Sequence, residues 1–299
     1  ADADAATPGV QVRAAGGAIA FDLLGGSALG TATVSAASVR GSSAGATNVR
    51  LVPGSVSPDS STVVPVSPVT VGNPGSTVAV TLRDRRGHSL PGVPSDSIQV
   101  TATGLAVTTT PRAATTDSAG RIDFGAAATM TGTASLSVTA RGVLLAAAPS
   151  ILYTHGPLDT LVVTGPAGPL TAGTLDSLQV EARDAFGNAM SDRADTVHAA
   201  VTAGGATGLP VAAALQSGAA TVPFTPTLAG PLTIHVSDDS THGSSYGPVA
   251  VLAGGPWSLT ADAPASDTLR AGGTTFVRAH VADAYGNPVP NAVVTFAAR

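Results

Sequence analysis

Ala279-His280-Val281-Ala282-Asp283-Ala284-Tyr285-Gly286-Asn287-Pro288 reads as a strand ending in a tight turn. Val277, Ala279 and Val281 alternate with Arg278 and His280, so one face is apolar and the other polar, the period of a half-buried strand. Asp283 and Gly286 suit the turn, because a carboxylate accepts nearby backbone N–H groups and glycine tolerates positive φ. The same reading holds twice upstream. Asp184-Ala-Phe-Gly187-Asn188 follows Leu178/Val180/Ala182, and Asp84-Arg-Arg-Gly87-His88 follows Val78/Val80/Leu82. The three aspartates stand 100 and then 99 residues apart, so one unit of that length is repeated.

A second signature repeats downstream at about the same spacing. Gly17-Ala-Ile-Ala-Phe21 is matched by Gly120-Arg-Ile-Asp-Phe124 and by Gly218-Ala-Ala-Thr-Val-Pro-Phe224. Each is followed by a glycine-led strand: Gly30 with Ala32/Val34/Ala36 inward, Gly132 with Ala134/Leu136/Val138, and Gly230 with Leu232/Ile234/Val236. Composition agrees. The chain has no Lys, no Cys and a single Glu (Glu181), and it is rich in Val, Thr, Ser, Gly and Pro, which favours short strands joined by turns over helices. The prediction is an all-β chain of two-sheet antiparallel sandwiches.

The run from Asp283 to Pro290 into Ala292-Val-Val-Thr-Phe296 resembles the bacterial immunoglobulin-like domains of invasin- and intimin-type adhesins, as do the Gly-x-Ala-x-Phe and Gly-Thr-Ala-x-Val elements. The resemblance covers nearly the whole chain and is closest in the third copy. His88 replaces the turn asparagine in the first copy, and the second lacks the prolines. It implies tandem immunoglobulin-like sandwiches in a rod outside a bacterial cell; a receptor-binding tip domain is not visible.

The repeat frame is shifted. Residues 1–56 hold only the second-half signature, with a last strand near Val49–Leu51, and 256–299 hold only the first half. Complete copies are expected at 57–155 and 156–255. The two end segments together have the length of one repeat, so two whole domains are expected between complementary half-domains. A half-sandwich exposes an inner face and open strand edges, which invite pairing with another chain. The expectation is head-to-tail completion between copies, a contact that propagates as a filament when it does not close. The residues expected at that seam are Val277, Ala279, Val281, Val294 and Phe296 from the tail, and Phe21, Ala32, Val34, Val49 and Leu51 from the head. The alternatives are a stalk fragment of a larger tandem-repeat adhesin and a spacer on a secreted enzyme.

The sequence points away from chemistry. Net charge is −5 with no basic run, which argues against nucleic acid. The longest apolar stretch, Val143–Tyr153, is interrupted by Pro149 and is too short for a membrane span. Gly41-Ser-Ser43-Ala-Gly45 fits a hydrolase elbow by pattern but lies in a Ser/Gly loop with no helix after it. Asp238, Asp239 and His242, with His235 nearby, are read as a solvated loop rather than a metal site, and Asp2 and Asp4 make a weaker case. Asp84, Asp184 and Asp283 recur in every copy, as a fold requirement does. No cofactor, no metal and no catalytic residue is expected, and the partner expected is the chain itself. Trp257, after Gly-Gly-Pro at the start of a repeat, is expected to pack between domains.

Overall fold

The computed structural model describes residues 14–38, 44–262, 264 and 268–297. Asp2, Asp4 and Gly41 to Ser43 lie outside them, and no α-helix occurs among the described residues. The alternating strands pair as their pattern requires. In the first sandwich, Thr62–Pro65, Thr77–Thr81, Arg121–Ala127 and Thr108–Pro111 lie side by side in that order. The facing sheet is built on Gly132–Ala140, which pairs with Ile98–Thr103 along one edge and with Val143–Leu144 and Ser150–Thr154 along the other. The short strand Val69–Thr70 closes this sheet by running parallel to Ser150–Thr154.

The second sandwich repeats the plan. Leu158–Thr164, Asp176–Asp184, Ala219–Pro226 and Ala206–Thr207 form one sheet. Leu170–Thr171, Gly243–Leu252, Gly230–Asp238, Thr196–Ala203 and Val211–Ala214 form the other. Each sandwich encloses its own apolar cluster, one spanning Val56 to Tyr153 and the other Leu158 to Val251. Val78, Val80 and Leu82 are fully buried, and so are Leu178, Val180 and Ala182 at the matching positions. Opposite them, Val78 pairs with Phe124 and Val80 with Ile122, so the alternation of one strand sets the register of the next.

The flanking segments look different. Gly30–Ala37 and Ala44–Leu51 form an isolated hairpin. Ser258–Ala261 and Ala279–Ala282 form another. Gly17 to Phe21 and Ala292 to Phe296 pattern as strands in the sequence, but they are not strands in the structure. An extended segment is held by a partner ladder, and neither segment has one here. Trp257 does not pack between domains: its backbone N–H binds Ala282, while the side chain is largely exposed.

Because the two clusters are separate, a core deletion acts on one sandwich. Phe224→Ala is expected to destabilise the second sandwich by about 3–5 kcal/mol. Scanning calorimetry checks this: one of two unfolding transitions should fall while the other, from the first sandwich, stays in place.

Candidate assembly and junction surfaces

The repeated turn is built around one carboxylate. Asp184 Oδ1 accepts the backbone N–H groups of Phe186 and Asn188, both at 2.9 Å. Its Oδ2 accepts the N–H of Gly156 at 2.9 Å, from the segment that enters this sandwich. The other copies repeat the set. Asp84 binds Arg86, His88 and the incoming Gly54. Asp283 binds Tyr285, Asn287 and the incoming Gly254. Gly87, Gly187 and Gly286 hold φ of 86°, 82° and 85°, which lets each turn close by an N–H bond back to the aspartate carbonyl. Arg83 and Arg183 brace the first two turns through the carbonyls of Gly87 and Gly187; Ala282 stands at that position in the third.

These aspartates are buried, and their hydrogen bonds hold them ionised. The N–H of Gly54, with the His88 ring and the turn amides, holds Asp84 well below the usual carboxylate range. For Asp283, burial pushes the value up, but the Asn287 amide and the Gly254 and turn N–H groups outweigh it and bring it down to about 2. Asp184 is lowered by the same balance.

Asn188 and Asn287 have a second set of partners in the preceding unit. Asn188 Nδ2 donates to the carbonyl of Thr129 at 2.9 Å, and its Oδ1 accepts the N–H of Thr131 at 3.1 Å. Asn287 brackets the loop of the second sandwich in the same way, through Thr227 at 2.8 Å and Ala229 at 2.8 Å. The aromatic residues of the turns sit beside them. Phe186 covers Gly72 so closely that a Cβ there would lie 2.4 Å from the ring, and Tyr285 covers Gly173 so that a Cβ there would lie 3.0 Å from its ring. At the junction of the two sandwiches His155 also bonds the carbonyl of Gly156 and pairs with Asp192, and these partners raise its pKa.

Sequence reasoning missed this junction role, although the aromatic and the asparagine recur at fixed turn positions. It also missed two further turns of the same build. Asp117 binds the N–H groups of Ala119 and Arg121, and Asp238 those of Ser240 and His242. The first carries the Asp-x-x-Gly signal at Gly120; the second has Thr241 in place of glycine and gives none. The Asp238–His242 pair, 2.9 Å apart, is therefore a turn bond rather than half of a metal site. Among the described residues no group of three His, Asp or Glu is arranged to hold a metal ion.

The seam residues are placed in the two hairpins and their flanks. Phe21 and Phe296 are about 60% exposed, at 61% and 62%. Val277 and Val49 are exposed too, while Ala32, Val34, Leu51, Ala279, Val281 and Val294 are half-buried. The described structure does not bring the head set and the tail set together.

No protein-family model and no curated protein matches the chain. Among solved structures it is similar to the Escherichia coli adhesin FdeC, with 19% identity, 81% of this chain and 79% of that one covered, and a TM-score of 0.48. It is similar to Yersinia pseudotuberculosis InvD, with 22% identity, coverage of 77% and 72%, and a TM-score of 0.41. It is also similar to invasin, described as a bacterial integrin-binding protein, with 17% identity, 83% of this chain and 49% of that one covered, and a TM-score of 0.45. These are likenesses of fold at low sequence identity.

Removing the carboxylate leaves the Gly156, Phe186 and Asn188 N–H groups without their acceptor, so Asp184→Ala is expected to cost the second sandwich about 2 kcal/mol. The pH dependence follows from the lowered values. Unfolded aspartate titrates near about 3.9, so the contribution of Asp184 and Asp283 is complete above that pH and is lost as pH falls through the folded values, about 2 for Asp283. Melting temperature against pH should therefore drop below about pH 4, and the drop should be shallower in Asp184→Ala.

Proposed function

We propose that this chain is a non-enzymatic structural rod of the bacterial cell exterior, extended when the tail hairpin of one copy completes the head hairpin of the next. The observation that carries the reading is a contrast inside one molecule. Ile122 and Phe124 are 2% and 3% exposed in the first sandwich, whereas Ile19 and Phe21, at the matching places, are 51% and 61% exposed. In the tail, Val277 is 44% exposed where Val78 and Leu178 are fully buried.

Backbone conformation supports the matching. Gly17, Gly120 and Gly218 have φ of 80°, 77° and 77°, and Gly30, Gly132 and Gly230 have φ of 139°, 141° and 129°. With those glycines as markers, Phe21 meets Val277 of a second copy as Phe124 meets Val78, and Ile19 meets Ala279 as Ile122 meets Val80. Leu51 likewise matches Tyr153 and Val251, which pair in parallel with Val69 and Leu170, so Leu269 of the second copy is expected beside it. Fully burying a side chain of this size is worth about 1.5–3 kcal/mol, and several do so at one seam. The free edge of Gly30–Ala37 gains the ladder that Gly132–Ala140 already has with Ile98–Thr103.

Placement outside the cell rests on the resemblance of the turn and strand motifs to invasin-type repeats. No helix among the described residues is long and apolar enough to cross a membrane. A stalk segment within a larger surface adhesin is the second reading, favoured by the bracketed junctions, which stiffen a spacer whichever chain completes the halves. Light scattering and electron microscopy separate the two. The purified 299-residue chain should form fibres and a chain ending at residue 255 should stay monomeric; monomers from both would leave only the stalk.

A further inference from the structure

We infer that the turn is a two-part latch for the sandwich before it, and that the first copy lacks it, so the rod carries a hinge between the head hairpin and the first sandwich. The latch works by chemistry that few residues supply. The asparagine side chain offers a donor and an acceptor on one fork, and it grips a carbonyl and an N–H two residues apart, at Thr129 and Thr131 or at Thr227 and Ala229. Its second amide hydrogen stays on the turn aspartate, so the grip is tied to the buried anion. The aromatic ring fills the space over Gly72 or Gly173. That glycine is joined to the gripped loop by its own N–H, bonded to Ala128 or Pro226, so ring and fork hold two parts of one corner.

In the first copy both parts are changed. Arg86 stands at the aromatic position and His88 at the asparagine position. His88 Nδ1 is engaged by Asp84 at 2.8 Å, which leaves Nε2 alone and no donor–acceptor fork to bracket a loop. The corner stays open: a cleft of about 550 Å³ lies there, lined by Leu29, Gly30, Arg50, Leu51, His88 and Pro91. The tail hairpin is thus latched to the second sandwich through Tyr285 and Asn287, while the head hairpin is tethered without a latch. Within the proposed rod this makes a fixed donor and a hinged acceptor at each seam. The hinge at the seam rests on that proposed function; the latch between the two whole sandwiches does not.

The test uses the full chain, whose lack of cysteine allows clean placement of spin labels. Labels at Thr103→Cys and Thr221→Cys read the latched junction, and labels at Ser35→Cys and Thr103→Cys read the head junction, with labelled chains diluted in unlabelled ones. The expected pulsed-dipolar result is a narrow distance distribution for the first pair and a broader one for the second. Phe186→Ala with Asn188→Ala should widen the first by about twofold, and Arg86→Phe with His88→Asn should narrow the second. Thr131→Pro removes a latch donor from the other side and leaves the turn intact, so widening in that variant excludes simple loss of the turn. Equal widths at both junctions, or no response to these substitutions, would overturn the inference. A failure to polymerise would not move the first pair, because both whole sandwiches lie in one chain.

Discussion

A carboxylate buried at the edge of each sandwich takes the N–H of an incoming glycine and two N–H groups of its own turn. Those three donors belong to the linker, the turn and the start of the following segment, so a single anion fixes how the chain enters a repeat and how it turns within it. Burying a charge without partners is costly, and here the partners are backbone groups that would themselves be orphaned. The asparagine at the end of the turn then couples that fixed point to the unit before. Orientation is in this way passed from one sandwich to the next by hydrogen bonds to main chain, with little demand on the rest of the surface sequence.

The fold was legible because its two periods are strong. Val78/Val80/Leu82 and Leu178/Val180/Ala182 alternate without a break, and the same alternation places them in the cores. Asp-x-x-Gly marks the turn by a mechanism rather than by frequency alone. The junction was less legible. Asn188 and Phe186 act across a domain boundary, and their partners, Thr129, Thr131 and Gly72, carry no distinctive pattern. The Asp238 turn was hidden for a different reason: with Thr241 in place of glycine it keeps the geometry and loses the signature. Trp257 was misread because an aromatic at the start of a repeat suggests packing, whereas its neighbours in the hairpin leave it outside.

Strand pattern also overstated order at the two ends. Gly17 to Phe21 and Ala292 to Phe296 have the residues of strands but no ladder to join, and periodicity alone cannot create one. In the proposed filament these irregular segments are the surfaces that meet. Their apolar residues stand where the whole sandwiches have buried ones, with a large side chain at Phe21 or Ile19 set against a smaller one at Val277 or Ala279. In the second sandwich the larger side chain of the matching pair sits on the other strand, Val180 against Ala220.

In the proposed filament a second copy completes the split sandwich. Residues directly opposite on paired strands have Cβ atoms about 4.5–5.5 Å apart, within reach of a disulfide after small adjustment. A chain carrying Ile19→Cys and Ala279→Cys has no other thiol, so oxidation reports that pair alone. The expected result is a ladder of covalent multimers on a denaturing gel, absent when either cysteine is omitted. Monomers that remain unlinked at concentrations where the chain is folded would contradict it.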